Sequence, residues 1–80
     1  MYFVYVIKSK VDGRLYKGLS TDPENRLKEH NTGKTKSTRP YKPWELVYTE
    51  EFDDIEEARK REKYLKSGTG REYLNNILDP

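Results

Sequence analysis

The sequence predicts an α+β fold, a three-stranded sheet with helices packed on it in the order ββαβαα. Three observations carry that expectation. Tyr2 to Ile7 is an unbroken apolar and β-branched run that leads into the turn dipeptide Asp12-Gly13, after which Arg14 to Leu19 resumes an extended pattern. Trp44 to Phe52 has strand character again, and three later or intervening segments carry helix-start signals. At 80 residues there is room for one domain, spanning 1–80, whose core is small. A chain of this size buries only about 60 to 65% of its unfolded surface. Apolar residues are 32% of the chain and seven of them are tyrosines, so the core must be thin.

Each element follows from local chemistry. Asp12-Gly13, read as a two-residue turn, closes a hairpin in which Tyr5 faces Ser20 and shares one sheet face with Tyr16 and Gly18. The glycine inside that strand suggests close approach of another backbone or a ligand. Thr21-Asp22-Pro23-Glu24 opens a helix, through either a Thr21/Glu24 capping box or Asp22 with proline in the first turn. That helix should reach about His30 and stop before Gly33. Residues 32–43 mix Gly, Ser, Thr, Lys, Arg and Pro without periodicity and read as a loop. In the third strand Leu46 and Tyr48 should share one face and Val47 the other. Asp53 and Asp54 open a second helix, Ile55 to Lys66, ended by Ser67-Gly68. A Thr69/Glu72 capping box should start a short third helix with Leu74, Ile77 and Leu78 inward.

Charge is plentiful but nearly balanced, 16 basic against 14 acidic residues for a net +2, so its distribution matters more than its sum. Residues 31–44 hold four bases and no acid, and residues 45–57 hold seven acids and no base. A nucleic-acid footprint must therefore be local, at Lys34, Lys36, Arg39 and Lys42 with help from Lys8, Lys10, Lys17 and Lys28. Ordinary solvated lysines are the alternative. Cysteine is absent, which removes disulfide partners and thiolate metal sites. No run approaches the roughly 20 apolar residues of a membrane span and no leader pattern precedes the first strand, so a cytoplasmic protein without membrane association is expected.

Polar residues stand where hydrophobes belong. In the second helix Ile55, Ala58 and Leu65 complete an apolar stripe only if position 62 is included, and position 62 is a glutamate. An inward carboxylate needs either a cationic partner, for which Arg26 is available, or a hard divalent cation. The first helix repeats the pattern, with Leu27 its one large aliphatic residue and Arg26 and His30 side by side one turn apart. His30 can serve as a surface or capping residue, or as a proton carrier. Two cations on one face repel, which favours a neutral imidazole near pH 7.

In order, these segments resemble the GIY-YIG nuclease domain, in the small single-domain branch related to the N-terminal nuclease domain of excinuclease. Phe3-Val4-Tyr5 stands as the first motif and Tyr16-Lys17-Gly18, within Leu15 to Asp22, as the second. Asn25-Arg26-Leu27-Lys28-Glu29-His30 is similar to the family's arginine helix, and Glu57 to Lys66 to its glutamate helix. The first motif departs by carrying Phe3 and Val4 in place of glycine and isoleucine, and the second by Lys17 where an aliphatic residue is usual. The resemblance implies an antiparallel sheet and hydrolysis of a DNA phosphodiester with one divalent metal, Mg²⁺ or Mn²⁺. It implies that Tyr5 is the general base or orients the nucleophile, and that Tyr16 positions water or phosphate. Arg26 would stabilise the phosphorane charge, His30 would assist proton transfer and Glu62 would hold the metal. Asn75, or Asn76 beside it, stands at a further family position, and Gly18 is a further candidate. A role in DNA repair or processing, with a separate DNA-binding or repair protein as partner, is the corresponding expectation. Two alternatives stay open: a non-cleaving nucleic-acid-binding module on the same fold, and a protein-interaction domain docking through residues 45–57.

Overall fold

In the computed structural model, which describes residues 1–78, strand β1 (Tyr2–Ser9) lies at the centre of a three-stranded antiparallel sheet between β2 (Leu15–Ser20) and β3 (Trp44–Phe52). Residues 79 and 80, the end of the expected 1–80 domain, lie outside the described residues. Helix α1 (Pro23–Thr32) and a 3₁₀ turn (Arg39–Tyr41) separate β2 from β3, and α2 (Ile55–Lys66) and α3 (Gly68–Leu78) follow. This is the ββαβαα order of an α+β fold. Being central, β1 is buried on both faces, which accounts for its near-continuous apolar run. Val4 and Val6 face Ala58, Leu65 and Leu74 of the α2/α3 layer, while Tyr5 and Ile7 face Trp44, Tyr16, Leu27 and Leu46 on the α1 side.

The hairpin register differs from a two-residue turn. Ser9 and Arg14 close the loop: the Ser9 N–H donates to the Arg14 carbonyl at 2.9 Å, and the Gly13 N–H donates to the Ser9 carbonyl at 3.0 Å. Gly13 sits at φ 79°, where a side chain would be strained. The Ser9 hydroxyl accepts from the Val11 N–H at 3.0 Å and donates to the Tyr41 carbonyl at 2.6 Å, which stabilises the longer turn. Tyr5 consequently pairs with Gly18 instead of Ser20. The shift is by two positions, so every side chain keeps its face.

On the other edge, the alternation expected of β3 is broken by a bulge. Val6 pairs with Tyr48 and Ile7 with Leu46, which leaves Val47 as the extra residue. Leu46 therefore packs on the Tyr5 side, and Val47 and Tyr48 both pack against the Val4/Val6 cluster. The acids of residues 45–57 fall largely on this edge strand and the start of α2, where charge discourages pairing with another sheet. Glu50 is committed further, accepting the Tyr48 hydroxyl and pairing with Arg61 of α2 at 3.0 Å.

Helix α1 starts on Asp22, whose side chain accepts the Asn25 N–H at 3.2 Å, and not through the Thr21/Glu24 box. At the α2/α3 junction Ser67 supplies both ends. Its hydroxyl donates to the Tyr64 carbonyl at 2.5 Å and accepts the Gly70 N–H at 3.2 Å, so the Thr69/Glu72 box is not the cap. The early start draws Gly70 onto the α2 backbone, with Leu74 fully buried one turn on. Ile77, expected inward, is 43% exposed because it lies beyond the last buried position of α3.

Candidate functional site

The candidate site assembles on the α1 side of the sheet around Tyr5. Directly across from it, Gly18 has no side chain, and the Tyr5 ring occupies that space: a Cβ built at Gly18 would fall 2.7 Å from Cε1 and closer still to the hydroxyl end. Any side chain there would displace the ring. Tyr16, two residues earlier on β2, stands beside it with ring centroids 6.5 Å apart, and its ring meets His30 edge-on at 5.0 Å.

Helix α1 supplies the polar groups. Its apolar content is too sparse to form a broad hydrophobic face, and what it turns inward is His30, fully buried, with Leu27 and Arg26 half-buried beside it. His30 Nε2 is 3.1 Å from the Tyr5 hydroxyl, and Nδ1 is 2.8 Å from the Thr38 hydroxyl. Arg26 is held by Glu29 at 2.7 Å on the same helix rather than by Glu62. Tyr5 is 1% exposed; burial and the neighbouring Tyr16 push its phenol up to about 12, and the Arg26 guanidinium works against that rise. Burial, then the charge of Arg26, holds the His30 pKa below its usual 6.5. Both groups of the hydrogen-bonded pair are therefore neutral near pH 7.

A stability consequence follows from the depressed histidine. The unfolded chain gains a proton as pH falls below about 6.5 while the folded chain resists it, so this contribution is complete above that pH and is lost as acidity increases. Thermal unfolding of the wild type should shift downward between about pH 7 and pH 5, and His30→Gln should flatten that interval. A wild-type transition that does not move there would contradict a neutral, buried His30.

Glu62 lies at the rim of the stripe rather than in its middle. Its side chain is 23% exposed and 3.6 Å from Lys66, and its charge is among those opposing ionisation of Tyr5. Among the described residues no three His, Asp or Glu side chains gather as a metal-binding group. A single half-exposed carboxylate fits a hard cation such as Mg²⁺ or Mn²⁺ that keeps most of its waters and shares them with a phosphate; it does not fit a cation needing a full protein cage.

The expected basic residues divide into two places. Lys34, Lys36, Arg39 and Lys42 are exposed on the segment after α1, although Arg39 spends its Nε–H on the Gly33 carbonyl at 2.8 Å. Lys17 pairs with Val6 and so points toward the α2/α3 layer, half-buried. Burial, then the charges of Arg71 and Lys66, lower its pKa, so these three cations share one neighbourhood. Asn75 and Asn76 are exposed on α3 and are not hydrogen-bonded to Tyr5, Arg26 or His30.

Sequence reasoning missed Thr38, Asn31 and Trp44. Asn31 clamps the Trp44 backbone in both directions, at 2.6 and 3.0 Å, and the Trp44 indole N–H donates to the Thr38 carbonyl at 2.9 Å. Nothing local marks Thr38 in a segment rich in Ser and Thr, since such residues ordinarily serve turns.

Comparison with known proteins places this arrangement. A family model described as the GIY-YIG catalytic domain matches residues 1–75. A UPF0213 protein of Staphylococcus epidermidis is 42% identical over 79 residues, covering 98% of this chain and 95% of the relative. A UPF0213 protein of Clostridium perfringens is 42% identical over 78 residues, covering 96% of this chain and 83% of the relative. The solution NMR structure of the UPF0213 protein BH0048 from Bacillus halodurans shares the fold with a TM-score of 0.59 at 38% identity, covering 100% of this chain and 89% of that one. With the family model spanning both strand tyrosines, the arginine helix and the glutamate helix, the chain belongs to the GIY-YIG catalytic domain family.

Proposed function

We propose that the protein is a metal-dependent endonuclease that hydrolyses a phosphodiester bond of DNA, in repair or processing. The observation that carries this reading is the buried Tyr5 hydroxyl in hydrogen-bond contact with a neutral His30, with Arg26 and Glu62 close enough to act on its charge. A phenol pushed up to about 12 is not a standing base at neutral pH. It acts only by passing its proton on. As the attacking water gives a proton to the Tyr5 oxygen, the Tyr5 proton moves to His30 Nε2, so one imidazolium forms and no phenolate accumulates. Arg26, held by Glu29, takes the charge that develops on the phosphoryl oxygens, and Tyr16 positions the water or phosphate. Glu62 would hold the Mg²⁺ or Mn²⁺, which supplies Lewis acidity at the scissile phosphate when bound. Lys34, Lys36, Arg39 and Lys42 contact the DNA backbone from one side and Lys17, with Lys66 and Arg71, from the other.

The contact between Glu62 and Lys66 favours a second reading, a module that grips nucleic acid and leaves Glu62 as an ion-pair partner. Glu62→Ala separates the two. An exposed i,i+4 pair is worth only about 0.3–0.5 kcal/mol, so the thermal transition should move by a few degrees at most. Mg²⁺-dependent nicking of DNA should be abolished. A large fall in stability, with no wild-type nicking to lose, supports the binding module.

A further inference from the structure

We propose that Thr38 is a positioning residue whose hydroxyl sets the ring tautomer of His30, so that Nε2 presents a lone pair to the Tyr5 hydroxyl. This rests on the reading of Tyr5 and His30 as a proton-handling pair. The Tyr5 side chain is 1% exposed, and its hydroxyl makes its hydrogen bond to His30 Nε2 at 3.1 Å. A buried O–H without an acceptor costs about 1–3 kcal/mol, which favours Tyr5 as donor and Nε2 as the bare nitrogen. The imidazole hydrogen then belongs on Nδ1, and its acceptor is the Thr38 oxygen at 2.8 Å. Thr38 is free to accept because its own hydrogen goes to the Thr35 carbonyl at 3.3 Å. The opposite polarity, with Thr38 donating to Nδ1, would place a hydrogen on Nε2 and leave His30 unable to receive the Tyr5 proton.

Thr38 is itself fixed. It is 2% exposed, its N–H donates to the Thr35 carbonyl at 3.2 Å, and its carbonyl accepts the Trp44 indole at 2.9 Å. It also belongs to the segment that carries Lys34, Lys36, Arg39 and Lys42. The segment proposed to hold the DNA backbone thus also holds the proton acceptor in register, which gives it a second task.

The sequence contains one histidine, so nitrogen-15 NMR of the ring reads this site without assignment ambiguity. In the wild type the spectrum should show a protonated Nδ1 and a bare Nε2; a protonated Nε2 there overturns the proposal before any variant is made. Thr38→Val removes the acceptor while keeping the side-chain shape. It should shift the ring toward the other tautomer and lower kcat for DNA cleavage by about 10- to 100-fold, with KM little changed. Thr38→Ser should restore both. An unchanged tautomer in Thr38→Val, or a serine variant as impaired as valine, refutes the role of the hydroxyl. The NMR result needs no cleavage. A tautomer that responds as described in a protein that cuts no DNA would leave the positioning role standing and remove the nuclease reading alone.

Discussion

Tyr5→Phe should lower the cleavage rate by about 10²- to 10⁴-fold, the range that a positioned proton carrier contributes. The substitution keeps the ring that fills the space over Gly18 and that packs with Ile7 and Trp44. It removes the oxygen through which the water proton reaches His30. A stability cost accompanies the loss, because Nε2 is buried and would have no partner; a lone unsatisfied acceptor costs about 1–3 kcal/mol. At about 4–8 °C per kcal/mol for a domain of this size, the variant should still be folded when assayed well below its transition. Single-turnover cleavage beside circular dichroism at the same temperature separates the two effects. A folded variant that cuts at the wild-type rate would remove Tyr5 from the proton path.

The largest effect on stability should come from Gly70→Ala. A Cβ at Gly70 would lie 2.6 Å from the Leu65 Cα and nearer still to the Tyr64 carbonyl oxygen, and both obstacles are backbone. No rotamer change relieves such a clash, so α3 must withdraw from α2. That opens the contact that buries Leu65 and Leu74, residues worth about 1.5–3 kcal/mol each in transfer alone. The helix propensity gained by alanine, about 1 kcal/mol, works in the other direction and is outweighed. A loss of about 3 kcal/mol is large against the roughly 4–12 kcal/mol expected of 80 residues. Gly68→Ala is the control, since nothing lies within 4 Å of a Cβ there. Thermal unfolding should show the first variant more than about 10 °C below wild type and the second at or slightly above it. Equal transitions would mean that the α2/α3 approach is looser than the structure shows.

The architecture was legible because three strong local signals agreed with one another: the apolar run of β1, the Asp-Pro start of α1 and the Asp-led start of α2. The misreadings share a physical cause, which is competition among local hydrogen-bonding options. Asp12-Gly13 is a strong two-residue turn signal, but Ser9 reaches Val11 and Tyr41 and stabilises a longer loop. Thr69 is a sound capping residue, but Ser67, two positions earlier, serves both neighbouring helices. The bulge at Val47 leaves no trace in an apolar pattern that either alternation could satisfy.

For the site, Arg26 and His30 were visible as polar residues on a helix face that had to meet the sheet, and both lie beside Tyr5. Glu62 was visible for the same reason, although it proved to sit at the rim of its stripe. Thr38 could not be found that way. Its place beside His30 depends on how residues 33–43 fold back, and the Asn31–Trp44 clamp and the Trp44 indole, which hold that path, are long-range contacts. Lys17 shows the reverse case: its departure from the family pattern was plain in sequence, and the register explains it by turning the residue toward Lys66 and Arg71.

The most direct measurement is cleavage by the wild-type protein of end-labelled duplex, flap, junction and single-stranded DNA, with Mg²⁺ or Mn²⁺ and with chelator, beside Glu62→Ala. Strand scission of at least one substrate that requires the metal and disappears in Glu62→Ala is the predicted result. Binding without scission on every substrate, or scission that persists in Glu62→Ala, would contradict it.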